Sequence, residues 1–165
     1  MAKVIGIGGC SRSGKSSLAL QISDYLPDKK VLLLDMDDFV FPEVNIPKVK
    51  DRTDWERPHA VDFDRLCFTI KNQQLNYDII VVEGILVFAE EKLIELLDIT
   101  VFIEITRKLF IERRLKETRW GHEPHWFIDH VWNSHLLYGQ YQNADFFISG
   151  AEKISQKMLF EIASS

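Results

Sequence analysis

The chain of 165 residues is poor in several things, and each shortage removes a class of protein. It has only two cysteines, Cys10 and Cys67, far apart and in no C-x-x-C or His-paired spacing. That excludes a disulfide framework and a cysteine zinc site, and it fits a reducing, cytoplasmic setting. No excess of basic residues is present, since the formal net charge is −5. A general nucleic-acid binder needs a basic face, so none is expected here, and any anion site must be local. Long apolar runs are missing too. "VIGIGG" is too short and glycine-rich for a signal sequence, and "IIVVEGILVF" is interrupted by Glu83. No membrane span is expected. Nor is there an internal repeat, a low-complexity tract, a linker or a distinct apolar seam for self-association.

What remains is the composition of a soluble globular protein, 46% hydrophobic and 27% charged. A chain of this length buries roughly 70% of the surface exposed on unfolding, and residues 1–165 read as a single domain. Five runs are apolar on both faces, the mark of parallel strands covered from both sides: 3–9, 30–35, 77–84, 99–105 and 145–150. Between them lie helical patterns at 15–26, 60–75, 90–97, 107–119 and 127–142, with a last one at 152–163. Strand followed by helix, repeated, predicts a doubly wound α/β domain. Two segments break the rhythm. Residues 39–60 hold three of the five prolines, and 113–127 run from a basic helix into the aromatic, polar "WGHEPHW". Such excursions suit an acceptor-binding loop and a small lid.

"GCSRSGKS", residues 9–16, matches G-x-x-x-x-G-K-S/T and sits between an apolar strand and a helix. Its glycines let backbone N–H groups converge on phosphate oxygens at a helix N-terminus, and Lys15 reaches the outer phosphates. The expected nucleotide contacts are Gly9, Ser11, Ser13, Gly14, Lys15, Ser16 and Ser17. Ser16 also offers a hydroxyl to Mg²⁺. Arg12 reads as an ordinary filler, and Cys10 as a small packed residue. No N-K-x-D and no L-S-G-G-Q occur, so guanine-nucleotide switches and transporter ATPases lose support. A small-molecule kinase or another NTPase remains.

Carboxylates end two of the strands. In an open α/β sheet the ligand lies beyond the carboxyl ends, so "LLLDMDDF" and "IIVVEG" point acids at the same crevice. Phosphoryl transfer needs a proton acceptor and metal ligands. Asp37 is the expected base and a metal ligand, with Asp38 beside it on the acceptor side, and Glu83 is placed for metal or acceptor hydroxyls. Six basic residues fall in 107–119. Arg114 and Arg119 are selected to neutralise transferring phosphate, one at the lid base and one within the lid. Phe39, Phe41, Trp55, Trp120, Trp126 and Phe127 could stack a flat heterocycle, although about half of such a set packs in the core. His122 and His125 lack a third ligand at a compelling spacing, so no histidine metal site is expected.

Taken together, "GGCSRSGKSS", "DMDDF", "DWERPHAVDFD", "VVEGILVF", "RRLKETR" and "HWFIDHVW" resemble the P-loop nucleoside kinase group of uridine/cytidine kinases and nicotinamide riboside kinases. The resemblance covers nearly the whole chain. It implies a P-loop NTPase fold with a five-stranded parallel sheet of order 2-3-1-4-5, and use of ATP with Mg²⁺ on the 5′-hydroxyl of a ribosylated small molecule. It also implies Asp37 as general base, Lys15 and Ser16 as phosphate and Mg²⁺ residues, and Glu83 as the strand-end acid. Glu56 stands where the group has an Asp that holds ribose hydroxyls, and Trp55 and Trp120 stand where aromatic residues surround the base. Nicotinamide riboside is the first acceptor implied and uridine or cytidine the next, since "EGILVF" is closer to uridine kinases. A kinase of a non-nucleoside metabolite and a nucleotide-binding switch are the alternatives.

Overall fold

The computed structural model describes residues 1–118 and 121–165. Arg119 and Trp120, both expected in the lid, lie outside the described residues. Five strands form one parallel sheet: β1 (Lys3–Gly9), β2 (Val31–Asp35), β5 (Ile79–Glu83), β6 (Ile99–Glu104) and β7 (Phe146–Ser149). A separate two-stranded antiparallel hairpin comprises β3 (Lys48–Val49) and β4 (Arg52–Thr53). The sheet runs β2-β5-β1-β6-β7, which is 2-3-1-4-5 when its five strands alone are numbered. The helices are α1 (Lys15–Tyr25), α2 (Phe63–Gln73), α3 (Glu91–Ile94), α4 (Arg107–Leu115), α5 (His125–Tyr138) and α6 (Gln156–Ser164).

Side chains alternate across the pleat, so each central strand feeds two cores. Val4, Ile80 and Val82 meet Leu66 and Ile70 of α2 and Leu93 of α3 on one face. Ile5, Ile7, Ile79 and Val81 meet Leu18 and Ile22 of α1 and Leu159 and Ile162 of α6 on the other. That two-sided burial is why these strands are apolar throughout. Gly6 and Gly8 belong to the first face. A Cβ there would stand 2.5 Å from Leu97 Cδ1 and 2.4 Å from Phe88 Cε2 respectively, so both glycines serve packing. A third cluster, Cys10, Phe110, Phe127, Ile128 and Val131, joins the turn after β1 to α4 and α5. Cys10 is fully buried, as a packed residue should be, and burial pushes its thiol up to about 12.

Helix starts are set by caps more tightly than by apolar spacing. Asp62 accepts from Arg65 N at 3.0 Å, which starts α2 at Phe63 and not at residue 60. Ser155 accepts from Met158 N at 3.1 Å, so α6 begins at Gln156 and not at 152. Pro124 precedes α5, which opens at His125, two residues earlier than expected, and closes at Tyr138. Residues 90–97 hold only a four-residue helix. The irregular segment 39–60 carries the β3–β4 hairpin and short 3₁₀ turns, and backbone bonds from Phe41 N to Ala60 O and from Asp62 N to Phe39 O close it into a loop.

Candidate active site

The carboxyl ends of β1, β2 and β5 are in register, with Ile7 and Asp35 both level with Glu83. The chain leaving β1 therefore turns directly beside two strand-end acids. The turn depends on backbone freedom at Gly9, whose φ is 146°. A Cβ there would stand 2.6 Å from the Ile103 carbonyl oxygen, which a side chain cannot relieve by moving. Arg12 and Gly14 are also at positive φ, 66° and 106°. Ser13 N then donates to Cys10 O at 3.1 Å, and Leu18 N to Gly14 O at 3.0 Å, so the loop passes straight into α1.

The result is a cavity of about 590 Å³ whose wall includes Ser11, Lys15, Ser16, Asp37, Glu83 and Arg113. Lys15 is buried and its Nζ donates to the Cys10 carbonyl at 2.9 Å. Burial lowers its pKa, while the charges of Glu83, Asp37 and Glu56 act the other way. One ammonium thus feels acids from β5, from the end of β2 and from the irregular segment 39–60 together. Ser16 Oγ donates to Glu83 Oε1. Ser13 Oγ is buried with no hydrogen-bond partner among the described residues, an orphaned hydroxyl inside the loop that would cradle phosphate.

The acids are displaced in one direction. Desolvation first, and then the neighbouring Asp35, raises Asp37 above the ordinary carboxylate value. Desolvation also raises Glu83, against the opposing hydrogen bond from Ser16. Glu56, 9% exposed, is pushed up to about 7 by burial, with the Arg114 charge opposing. The acid read from sequence as a ribose contact is therefore within the field of Lys15, Asp37 and Arg114. Acids and cations together make a chamber that can hold a polyanion, a divalent cation with oxygen ligands and a hydroxyl donor.

Not every expected residue joins it. Asp38 is exposed and its carbonyl accepts from Arg65, whose guanidinium covers the Phe39 ring at 5.0 Å. Phe39 packs against the first core cluster, so neither side chain lines the nucleotide cavity. Trp55 is half-buried in the irregular segment 39–60, next to Glu56, and Ser17 lines the cavity. Arg114 is brought in: Nη1 donates to Ser11 Oγ at 2.7 Å, and Nε and Nη2 donate to Glu123 at 2.6 and 2.9 Å.

Some contributors were not singled out from sequence. Arg12, read as a filler, lines the cavity and pairs with Glu117. Arg113 ties the P-loop to the turn after β7, through the carbonyls of Arg12 at 2.9 Å and Gly150 at 2.6 Å. Asp54, 3% exposed, is held by Arg57 Nε at 2.7 Å and His130 Nε2 at 2.8 Å. Basic density flagged α4, but nothing local in sequence marks a partner on α5 for Asp54. No cluster of three or more His, Cys, Asp or Glu side chains is poised for a metal among the described residues. Among them, no helix is long and apolar enough to cross a membrane.

No protein-family model matches the chain. In sequence it is 31% identical to a uridine kinase of Geobacillus kaustophilus (strain HTA426), across 68% of this chain and 65% of the relative. It is 28% identical to a uridine kinase of Borrelia garinii subsp. bavariensis, across 70% and 67%. The chain thus spans about two thirds of the length of the curated relatives it matches. In structure it is similar to a possible uridine kinase from Bacillus stearothermophilus, with a TM-score of 0.58, 20% identity and coverage of 89% of this chain and 88% of that one. A gluconokinase from Sinorhizobium meliloti 1021 gives a TM-score of 0.60 at 19% identity, covering 98% and 87%. The chain has the α/β fold of the P-loop kinases, and its sequence is similar to that of uridine kinases over two thirds of its length.

Proposed function

We propose that the chain transfers the γ-phosphoryl group of ATP to the 5′-hydroxyl of a ribonucleoside. The observation that carries this reading is the cavity that buried Lys15 shares with Glu83 and Asp37, with the charge of Glu56 acting on the same ammonium. A P-loop needs only the first of these acids to hold nucleotide; the other two come from the segments that would present an acceptor. Uridine or cytidine is the favoured acceptor, because the relatives at about 30% identity are named uridine kinases. Nicotinamide riboside is the second reading, supported by Trp55, half-buried beside Glu56 and free of ring contacts to other described aromatics.

Lys15 exchanges the neutral Cys10 carbonyl for β- and γ-phosphate oxygens, the stronger, charge-assisted partners. The orphaned Ser13 hydroxyl and the backbone N–H groups of the loop complete the cradle. Ser16, Glu83 and Asp37 present hard oxygens that suit Mg²⁺, which would offset charge on the phosphates when bound. Glu56 holds the ribose hydroxyls and orients the 5′-oxygen. Asp37 takes that hydroxyl's proton as the oxygen bonds to the γ-phosphorus and the bond to the bridging oxygen breaks, releasing ADP. Arg114 offsets charge spread over the transferring group.

The test is a coupled ADP-release assay with Mg-ATP against uridine, cytidine, nicotinamide riboside, pantothenate and water. Release that requires a nucleoside is expected, with a pyrimidine preferred. Release with pantothenate alone, or none that depends on an acceptor, overturns the reading.

A further inference from the structure

Arg114 has five N–H groups, and the structure shows where three of them go. Nε and Nη2 meet the two oxygens of Glu123 side-on at 2.6 and 2.9 Å, and Nη1 meets Ser11 Oγ at 2.7 Å. One N–H on each Nη remains. The pair is largely desolvated, with side chains 15% and 9% exposed, so it is not the screened surface contact that contributes little. Glu123 lies nine residues beyond Arg114, past the end of α4, so its partner is chosen by tertiary geometry and not by helical spacing.

A second carboxylate feels the same charge. The charge of Arg114 acts on buried Glu56, which has no hydrogen bond to a described side chain. It also acts on Cys10 at the start of the loop. Arg114 thus joins Ser11 of the phosphate loop to Glu123, and its charge reaches Glu56. With its Nε–Nη2 edge held by Glu123 and Nη1 held by Ser11, the guanidinium plane is fixed in orientation. An isolated arginine side chain has several rotatable bonds and no such preference.

We propose that Glu123 is a positioning residue, which aims Arg114 across the phosphate loop by gripping the Nε–Nη2 edge and leaving the outer N–H groups for the transferred phosphoryl group. This rests on the phosphotransfer reading above, and the test separates the two. Glu123→Gln, Arg114→Lys and the double variant are compared in the full chain with a nucleoside acceptor. Misaim by about an ångström costs on the order of 100-fold in rate. Glu123→Gln is therefore expected to lower kcat about 30- to 100-fold with KM for ATP within about threefold, and the double variant to be no slower than Arg114→Lys alone. Near-native kcat in Glu123→Gln, or losses that multiply in the double variant, overturns the assignment.

A readout without activity is the Nε–H resonance of Arg114 in ¹⁵N-labelled protein. It is expected to be protected from exchange in the native chain and in Glu123→Asp, and exposed in Glu123→Gln. An unchanged resonance in Glu123→Gln overturns the proposal even where no acceptor releases ADP, an outcome that by itself counts only against the phosphotransfer reading.

Discussion

Ser16 Oγ donates a hydrogen bond to Oε1 of Glu83, across 67 residues of sequence. The bond spans the first turn of α1 and the end of β5, which the parallel register of β1 and β5 brings level. In the proposed reading these two hard oxygens would hold a divalent cation, which must displace the shared proton interaction to use both. Glu83→Gln is expected to raise the Mg²⁺ concentration for half-maximal ADP release by about tenfold, in line with the sensitivity of metal sites to loss of an oriented ligand. A Mg²⁺ titration of initial rate checks this, and an unchanged midpoint removes Glu83 from the metal site.

Asp37 sits at the cavity wall beside Lys15, with its carboxyl raised by desolvation and by Asp35. The general-base role proposed above is worth about 10²- to 10⁴-fold. Asp37→Asn should lower kcat by about that factor while ATP affinity, measured by calorimetry without acceptor, stays within about threefold. Loss of both in equal measure would reassign Asp37 to nucleotide or metal binding.

Much of this arrangement was legible in the sequence because it is local. The P-loop is contiguous, it lies between a continuous apolar run and a helical pattern, and the acids at 35–38 and 83 directly follow apolar runs. Strand bounds agree to within two residues, since burial on both faces leaves a continuous apolar signature. Helix starts were less legible because Asp62 and Ser155 cap more sharply than an apolar stripe begins. The hairpin at 48–53 was not legible at all, each strand being two residues long. Pairings such as Arg114 with Glu123 and Asp54 with His130 depend on where separate elements pack. Composition can flag the charged residues but not match them.

That hairpin and the residue after it are fastened to the first half of α5 at positions 50, 52 and 54. Lys50 Nζ lies 4.3 Å from the Trp126 ring centre, Arg52 Cζ 4.9 Å from that of Phe127, and Asp54 Oδ1 2.8 Å from His130 Nε2. Glu56 follows two residues later, so its position depends on the clamp. His130→Ala leaves buried Asp54 with Arg57 alone, at a cost of about 1–3 kcal/mol. Acceptor KM should rise about tenfold with KM for ATP unchanged, since about 1.4 kcal/mol of displaced acceptor binding is tenfold. Initial rates with each substrate varied in turn decide it, and equal shifts in both constants would make His130 a general stability residue.

Glu56 gives the folded chain a pH dependence whose direction is fixed by its environment. Burial, only partly opposed by Arg114, pushes its carboxyl up to about 7 from the ordinary 4.5. Between those values the folded chain keeps a proton that the unfolded chain releases, so stability from this group is fully present below the lower value and falls as pH rises through the upper one. The difference amounts to about 3 kcal/mol. Glu56→Gln, which is neutral at every pH and close in shape, should remove that slope. In urea unfolding, the variant is expected to gain about 3 kcal/mol relative to the native chain between about pH 4.5 and about pH 8. A constant difference across that range would mean that Glu56 is ionised in the folded state throughout, paired with Arg114 in place of Glu123, and the aim of the guanidinium would have to be assigned anew.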